Sequence, residues 1–349
     1  MPKHDEQTPT IVKRRVQMTG GSTYIISIPK EWAKALNIEK GSEVTLELRR
    51  EGWIRVASPG APRKRGSRVF EVSLKDGLSD AAVSMQIIAA YLAGYDTIRV
   101  KFEPTLASMA EKVAEMVRSK VVGLELLEES DSQMTLRAVV DLTSITAESA
   151  LDNLVKVVRS MLSDLSDVIV GVKGKEVLEA VIRRDDIVDK LYLYIFKQLN
   201  LALQGLMSPR DLGMEDLAEV IGIYTMVKSL ERIADQVVYI AQWLGEYPST
   251  YIRDDKLREL FVGVKSAVDG ALSLVKDPQR ESVLRLYESL HRQAEAVMGF
   301  QSKARSGACE GDCYPLLDGL RRIIAQGIDL LEALMGIQSL RSIEEGAEP

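Results

Sequence analysis

The hydrophobic rhythm of the chain changes twice. From Val12 to Ala57 apolar and polar residues alternate in short runs, which predicts strands over Val12 to Met18, Thr23 to Ile28, Glu43 to Arg49 and Trp53 to Ala57. Turn signals fall at Thr19-Gly20-Gly21-Ser22, Gly41 and Glu51-Gly52, and Pro29 opens a short helix, Lys30 to Leu36. From Arg68 the period switches between strand and helix: strand Arg68 to Leu74, helix Leu78 to Ala93, strand Thr97 to Phe102, helix Thr105 to Val117, then strands Leu124 to Glu129 and Met134 to Asp141. That order reads as a small α/β sandwich. After Thr143 only the helical period remains, over Ala147–Val170, Lys175–Leu206, Met214–Leu244, Asp254–Leu274, Pro278–Ala304 and Tyr314–Leu340. The expectation is an α+β multidomain protein: a β domain at 10–58, a linker rich in Pro, Gly and base at 59–67, an α/β connecting domain at 68–142, and an all-α body of two three-helix bundles at 143–247 and 248–345.

The two helical sets align with each other. Leu191-Tyr192-Leu193-Tyr194-Ile195-Phe196-Lys197-Gln198 falls on Leu286-Tyr287-Glu288-Ser289-Leu290-His291-Arg292-Gln293 at an offset of 95, and Leu230 to Gln236 falls on Leu320 to Gln326 at an offset of 90.

The candidate chemistry lies in the first set, on a helical hairpin from Lys175 to Trp243. Asp185 and Asp189 on one side, and Glu231 and Asp235 on the other, each keep the four-residue spacing that puts a pair on one helix face. Both pairs are symmetric about position 210, inside the break Ser208 to Gly213, so an antiparallel hairpin sets Asp189 beside Glu231 and Asp185 beside Asp235. The first pair borders the apolar stripe of Leu178, Val181, Val188, Tyr192, Phe196 and Leu199; the second flanks Val220, Tyr224, Val227 and Val238. Four carboxylates near an apolar face repel one another unless a cation intervenes. A hard metal ion fits such donors: iron(III), manganese, magnesium, calcium, or zinc bound through oxygen. The alternative is salt bridging to Arg183, Arg184, Lys228 or Arg232. The offsets carry the four acids onto Arg280, Leu284, Arg321 and Ala325, so the second set keeps none of them. A similar pair on the preceding helix, Glu148 and Asp152, reads as solvated surface. Only His4 and His291 exist and neither lies here, which argues against di-iron oxidase chemistry and against an enzyme.

Composition adds three points. With 349 residues, 46% apolar and 28% charged, the chain can fill several cores and solvate their surfaces. No uninterrupted apolar run approaches a membrane span, and Met1 to Thr10 is polar, so a cytoplasmic protein without membrane insertion is expected. Residues 1–68 hold 14 basic and 7 acidic side chains, +7 in all, against −13 for the rest, so only the N-terminal piece suits a polyanion. That piece is too small for a core of its own, so a second copy is expected. Cys309 and Cys313 read as an exposed pair, with a redox or soft-metal clip as the alternative.

Two stretches carry family resemblances. Gly20 to Lys30, followed by Asn37-Ile38-Glu39-Lys40-Gly41-Ser42-Glu43-Val44, resembles the swapped-hairpin domain of the SpoVT/AbrB transcription factors. That implies an intertwined homodimer on DNA, with Lys13, Arg14, Arg15, the loop from Thr19 through Ser22 to Thr23, and Lys30 facing the duplex. Forked guanidinium groups suit phosphate and guanine edges. The helical body, with Asp-x-x-x-Asp and Leu230-Glu231-Arg232-Ile233-Ala234-Asp235-Gln236, resembles the PhoU family of phosphate-uptake regulators. In that family the motif acids hold iron or other metal clusters, which implies Asp185, Asp189, Glu231 and Asp235 as ligands and leaves a second cluster in doubt. Together the resemblances imply a DNA-binding, phosphate-responsive regulator. The alternative is a modulator of a phosphate-transporter ATPase whose head serves only to dimerise.

Overall fold

The computed structural model describes residues 11–48, 53–57, 68–142, 144–246, 254–303 and 313–346, in two compact units, 1–67 and 68–349. The Glu51-Gly52 turn and the 59–67 linker lie outside the described residues.

In the first unit, β1 (Gln17–Thr19) pairs antiparallel with β2 (Thr23–Ile25) around Gly20 and Gly21, whose φ values of 60° and 78° suit glycine. Pro29 then precedes α1 (Lys30–Ala35), and β3 (Thr45–Leu48) pairs antiparallel with β4 (Ile54–Ala57). The strands are shorter than the alternation predicts. The first ladder has only the pairs Gln17–Ile25, Met18–Tyr24 and Thr19–Thr23, and residues 12–16 meet no partner strand within one chain. Among the described residues neither ladder buries a core. Tyr24, Leu48 and Trp53 are 72%, 80% and 73% exposed.

The second unit begins with a four-stranded sheet in the order β5-β6-β8-β7. Strands β5 (Val69–Ser73) and β6 (Thr97–Lys101) run parallel, joined by α2 (Asp80–Leu92). After α3 (Ala107–Lys120), β7 (Leu124–Ser130) and β8 (Gln133–Ala138) add antiparallel. Val72, Ile98, Val100, Leu124, Met134 and Leu136 share one core with Val83, Ile87, Val113 and Val117 of the helices.

The helical body comprises α4 (Ala147–Ile169), α5 (Leu178–Arg183), α6 (Asp185–Leu203), α7 (Glu219–Glu246), α8 (Asp255–Ser273), α9 (Arg280–Lys303) and α10 (Tyr314–Gly346). One buried cluster runs through both sets of three, from Leu154 and Val188 to Val268 and Leu331, in place of the two separate bundle cores expected. The helix expected over Lys175–Leu206 is divided at Arg184, where the amide bonds the carbonyls of both Ala180 and Val181 and the guanidinium is held by Asp164 of α4. By length and composition α10 could cross a membrane, yet Leu316, Leu320, Ile323, Leu330, Leu334 and Ile337 are buried in the shared core. Cys313, expected to be exposed, opens α10, is 7% exposed and is disulfide-bonded. It is drawn inward with Leu316 and Leu317 of the same helical turn.

The C-terminal half of α6 fastens the sheet layer to the body. Asn200 Nδ2 and Gln204 Nε2 donate to the carbonyls of Leu92 and Ala93, each at 3.1 Å, satisfying orphan acceptors at the end of α2. Lys197, 1% exposed, lies 3.5 Å from the ring centroid of Tyr91. Tyr194 Oη and Gln198 Nε2 donate to Ile145 O at 3.0 and 2.7 Å, gripping the connector into α4.

Gly94 ends α2 at φ +89°, where an added Cβ would stand 2.7 Å from Cδ2 of buried Leu201 on α6. Gly94→Ala should therefore cost roughly 1–3 kcal/mol, read as a lower urea midpoint followed by circular dichroism.

Candidate functional site

The chain turns between α6 and α7 through a 3-10 turn, Pro209–Leu212, closed by a capping box between Ser208 and Asp211 and by Gly213 at φ 80°. The two helices then pack through Phe196, whose ring lies 6.0 Å from that of Tyr192 and 5.0 Å from that of Tyr224. This packing holds the predicted acids in one electrostatic neighbourhood. Asp185 opens α6 half-buried, and its carboxyl is pushed up from 3.8 to about 6, first by burial and then by Asp189, Asp235, Asp186 and Glu231. Asp235 is also raised, by burial and then by Glu231 and Asp189, against the opposing pull of Lys228 and Arg232. Asp185 Oδ1 is buried without a hydrogen-bond partner.

The other two acids are paired. Lys228 Nζ bonds Glu231 Oε2 at 2.7 Å within α7 and also lies 4.6 Å from the Tyr192 ring. Asp189 Oδ2 is bonded at 3.1 Å by Lys120 Nζ, from the end of α3. Of the cations expected from neighbouring sequence, only Lys228 forms an ion pair with one of these acids among the described residues: Arg183 pairs with Glu179 and Arg184 with Asp164, while Arg232 acts on Asp235 through its charge. Lys120 is 69 residues upstream of Asp189, in a different layer, and nothing in the local pattern announces it.

In donor chemistry the set fits a hard cation, and the orphaned Asp185 oxygen is the kind of atom such an ion satisfies. In spacing it does not yet form a ligand set: among the described residues no three His, Cys, Asp or Glu side chains stand close enough to share an ion. Any three of these four acids must include Asp189 or Glu231, the two held by ammonium groups. At the corresponding positions of the second helical set, Leu284 is half exposed and Arg321 pairs with Asp318, so no counterpart of the acid cluster stands there among the described residues.

In the first unit Lys13, Arg14 and Arg15 precede β1, Thr19, Ser22 and Thr23 form the tip of the first hairpin, and Lys30 starts α1. All seven are exposed.

Residues 151–244, which contain all four acids, match the model of the PhoU domain. The chain carries a PhoU domain. Residues 17–66 match the model of the antidote-toxin recognition protein MazE, a bacterial antitoxin, over the stretch that resembles SpoVT/AbrB. Among solved structures, the phosphate transport system regulatory protein PhoU from Streptococcus pneumoniae is similar at 16% identity and a TM-score of 0.38, over 58% of this chain and 94% of that one. No curated protein matches the chain.

The raised carboxyl in the PhoU domain has a consequence for stability. Asp185 titrates near 6 when folded against 3.8 ordinarily, so the folded state binds the extra proton between those values and stability falls as pH rises through them. In a chelator at pH 7.5, Asp185→Asn should raise unfolding free energy by on the order of 1 kcal/mol, an amount discounted for the half-exposed position. Variant and parent should converge near pH 4 in the same urea titration.

Proposed function

We propose that this protein is a cytoplasmic, homodimeric, DNA-binding regulator of phosphate transport, with a hard-cation site in its PhoU domain. The observation that carries the reading is the coincidence of the PhoU match at 151–244 with the helices that gather Asp185, Asp189, Glu231 and Asp235. Those four side chains would hold the ion, whether iron, manganese, zinc, magnesium or calcium. The ion would supply the positive charge that lets the carboxylates lie together. With no histidine among the described residues of the site, the role is sensing or structure rather than turnover.

The head supplies the output. Its exposed apolar strands call for a second copy to complete a core, and Lys13, Arg14, Arg15, Thr19, Ser22, Thr23 and Lys30 supply a basic, polar edge for the DNA backbone and bases. A phosphate-transporter ATPase is a second partner that a PhoU domain could engage, and DNA binding separates the two readings.

Promoter DNA of phosphate-transport genes should shift in a gel with the full chain, with affinity falling steeply as salt rises. Changing Arg14 and Arg15 together to alanine should weaken binding at least tenfold and flatten the salt dependence by about 0.9 for each phosphate that is no longer neutralised. No binding at low salt would leave the head as a dimerisation module and sink the DNA-binding reading.

A further inference from the structure

Helices α7 and α10 run antiparallel, with Ile337 packed over Gly222 and Ile240 over Gly319, where an added Cβ would stand 2.6 and 2.7 Å from those side chains. Beside this close contact lies a groove of about 560 Å³, lined among the described residues only by α7, α10 and Ala218 just before α7. No third helix closes it there. Ile221 on its wall is 77% exposed, more than any other large apolar side chain described in the second unit. Gly336 also lines the groove, and an added Cβ on it would meet nothing within 4 Å. A concave apolar surface of this size left in water is the mark of an interaction site.

The charges on the groove are of one sign. Asp329 and Glu332 line it, and neither forms an ion pair among the described residues. The nearest cations along the two helices are already taken. Lys228, one turn beyond Thr225, is held by Glu231; Arg341, next to Leu340, by Glu219; and Arg322, two turns before Asp329, by Asp318.

We propose that the α7–α10 groove docks an amphipathic helix of a partner protein, one whose apolar face is flanked by lysine or arginine. Two packed helices leave between them a groove that the ridges of a third can fill. From Asp329 to Leu340 the lining of α10 extends about 16 Å, three turns of such a helix. Its apolar side chains would cover Ile221 and occupy the space over Gly336, and its basic flank would meet Asp329 and Glu332. A second copy of this chain is the poorer occupant. Two copies laid groove to groove about a twofold axis would bring the same two carboxylates together from each side, with the neighbouring cations already paired. The groove shares no residue with the cluster of Asp185, Asp189, Glu231 and Asp235, so it stands whether or not a cation binds there.

The test measures, by fluorescence anisotropy with the full chain, binding of a labelled helical peptide of about 14 residues, four turns of leucine and lysine with the leucines on one face. The native chain should bind it, and should bind the same peptide with glutamate in place of lysine roughly tenfold more weakly or worse. Gly336→Leu puts a side chain where an added Cβ meets nothing and replaces a glycine inside a helix, so it should keep its thermal midpoint while losing roughly tenfold or more in affinity. Ile221→Gln, at an exposed position, should weaken binding in the same direction. Asp329→Lys with Glu332→Lys should remove the preference for the lysine peptide. Glu281→Lys with Glu288→Lys, exposed on α9, should leave affinity within about twofold, because surface charges that far from the docked helix are screened. No binding by the native chain, equal affinity in Gly336→Leu, or an equal loss in the α9 variant would overturn the docking site. Self-association beyond a dimer that Gly336→Leu abolishes, seen by sedimentation velocity, would also overturn it, because the occupant would then be a second copy.

Discussion

Mutual repulsion among Asp185, Asp189, Glu231 and Asp235 is the constraint around which the first helical set is arranged. Hydrophobic packing of Phe196 with Tyr192 and Tyr224 closes the seam between α6 and α7, and closing it forces the four acids into one neighbourhood. Repulsion and burial oppose that closure, as the raised carboxyls of Asp185 and Asp235 record. The molecule answers with two ammonium groups, one from α7 and one from α3. Four carboxylates against these two ammonium groups and the guanidinium of Arg232 still leave an excess of negative charge, and Asp185 Oδ1 remains unpartnered within it. Such an arrangement is poor as mere stabilisation, because apolar residues would close the seam without opposition. It becomes intelligible if the charge has a use.

Helix α6 links that charge to the rest of the unit. Its first two turns carry Asp185 and Asp189, and its last turns and C-cap carry Lys197, Asn200 and Gln204, which cap and cover the end of α2. One helix therefore touches both the acid cluster and the sheet layer. The division of the chain at Arg184 sharpens this, since the ion pair with Asp164 fixes where α6 begins and hence where Asp185 points its carboxyl relative to α4.

Much of this was legible in the residues. The 3.6-residue period located the helices after Thr143, and glycine and proline marked most of their ends; four-residue spacing and symmetry about position 210 singled out the acids. The contributions of distant chain were not legible. Lys120 meets Asp189 only because α3 packs on α6, and Asp164 takes Arg184 only because α4 lies alongside, facts that no local pattern contains. The same limit explains the single core: periodicity predicts which face of a helix is buried, not whether two sets of three bury it against each other. In the head, strand lengths depend on what lies beside them, so alternation over Val12 to Met18 yields only a three-residue ladder in one chain. Its Leu48 and Trp53 stay exposed among the described residues.

The most direct test is the metal content of the full chain purified without chelator, measured by inductively coupled plasma mass spectrometry beside a variant with Asp185, Asp189, Glu231 and Asp235 all changed to alanine. If the excess carboxylates exist to hold a cation, the native chain retains metal in a fixed ratio to protein and the variant retains none. Equal metal in the two proteins would contradict the cation site, and the cluster would then be a purely internal network of acids and lysines.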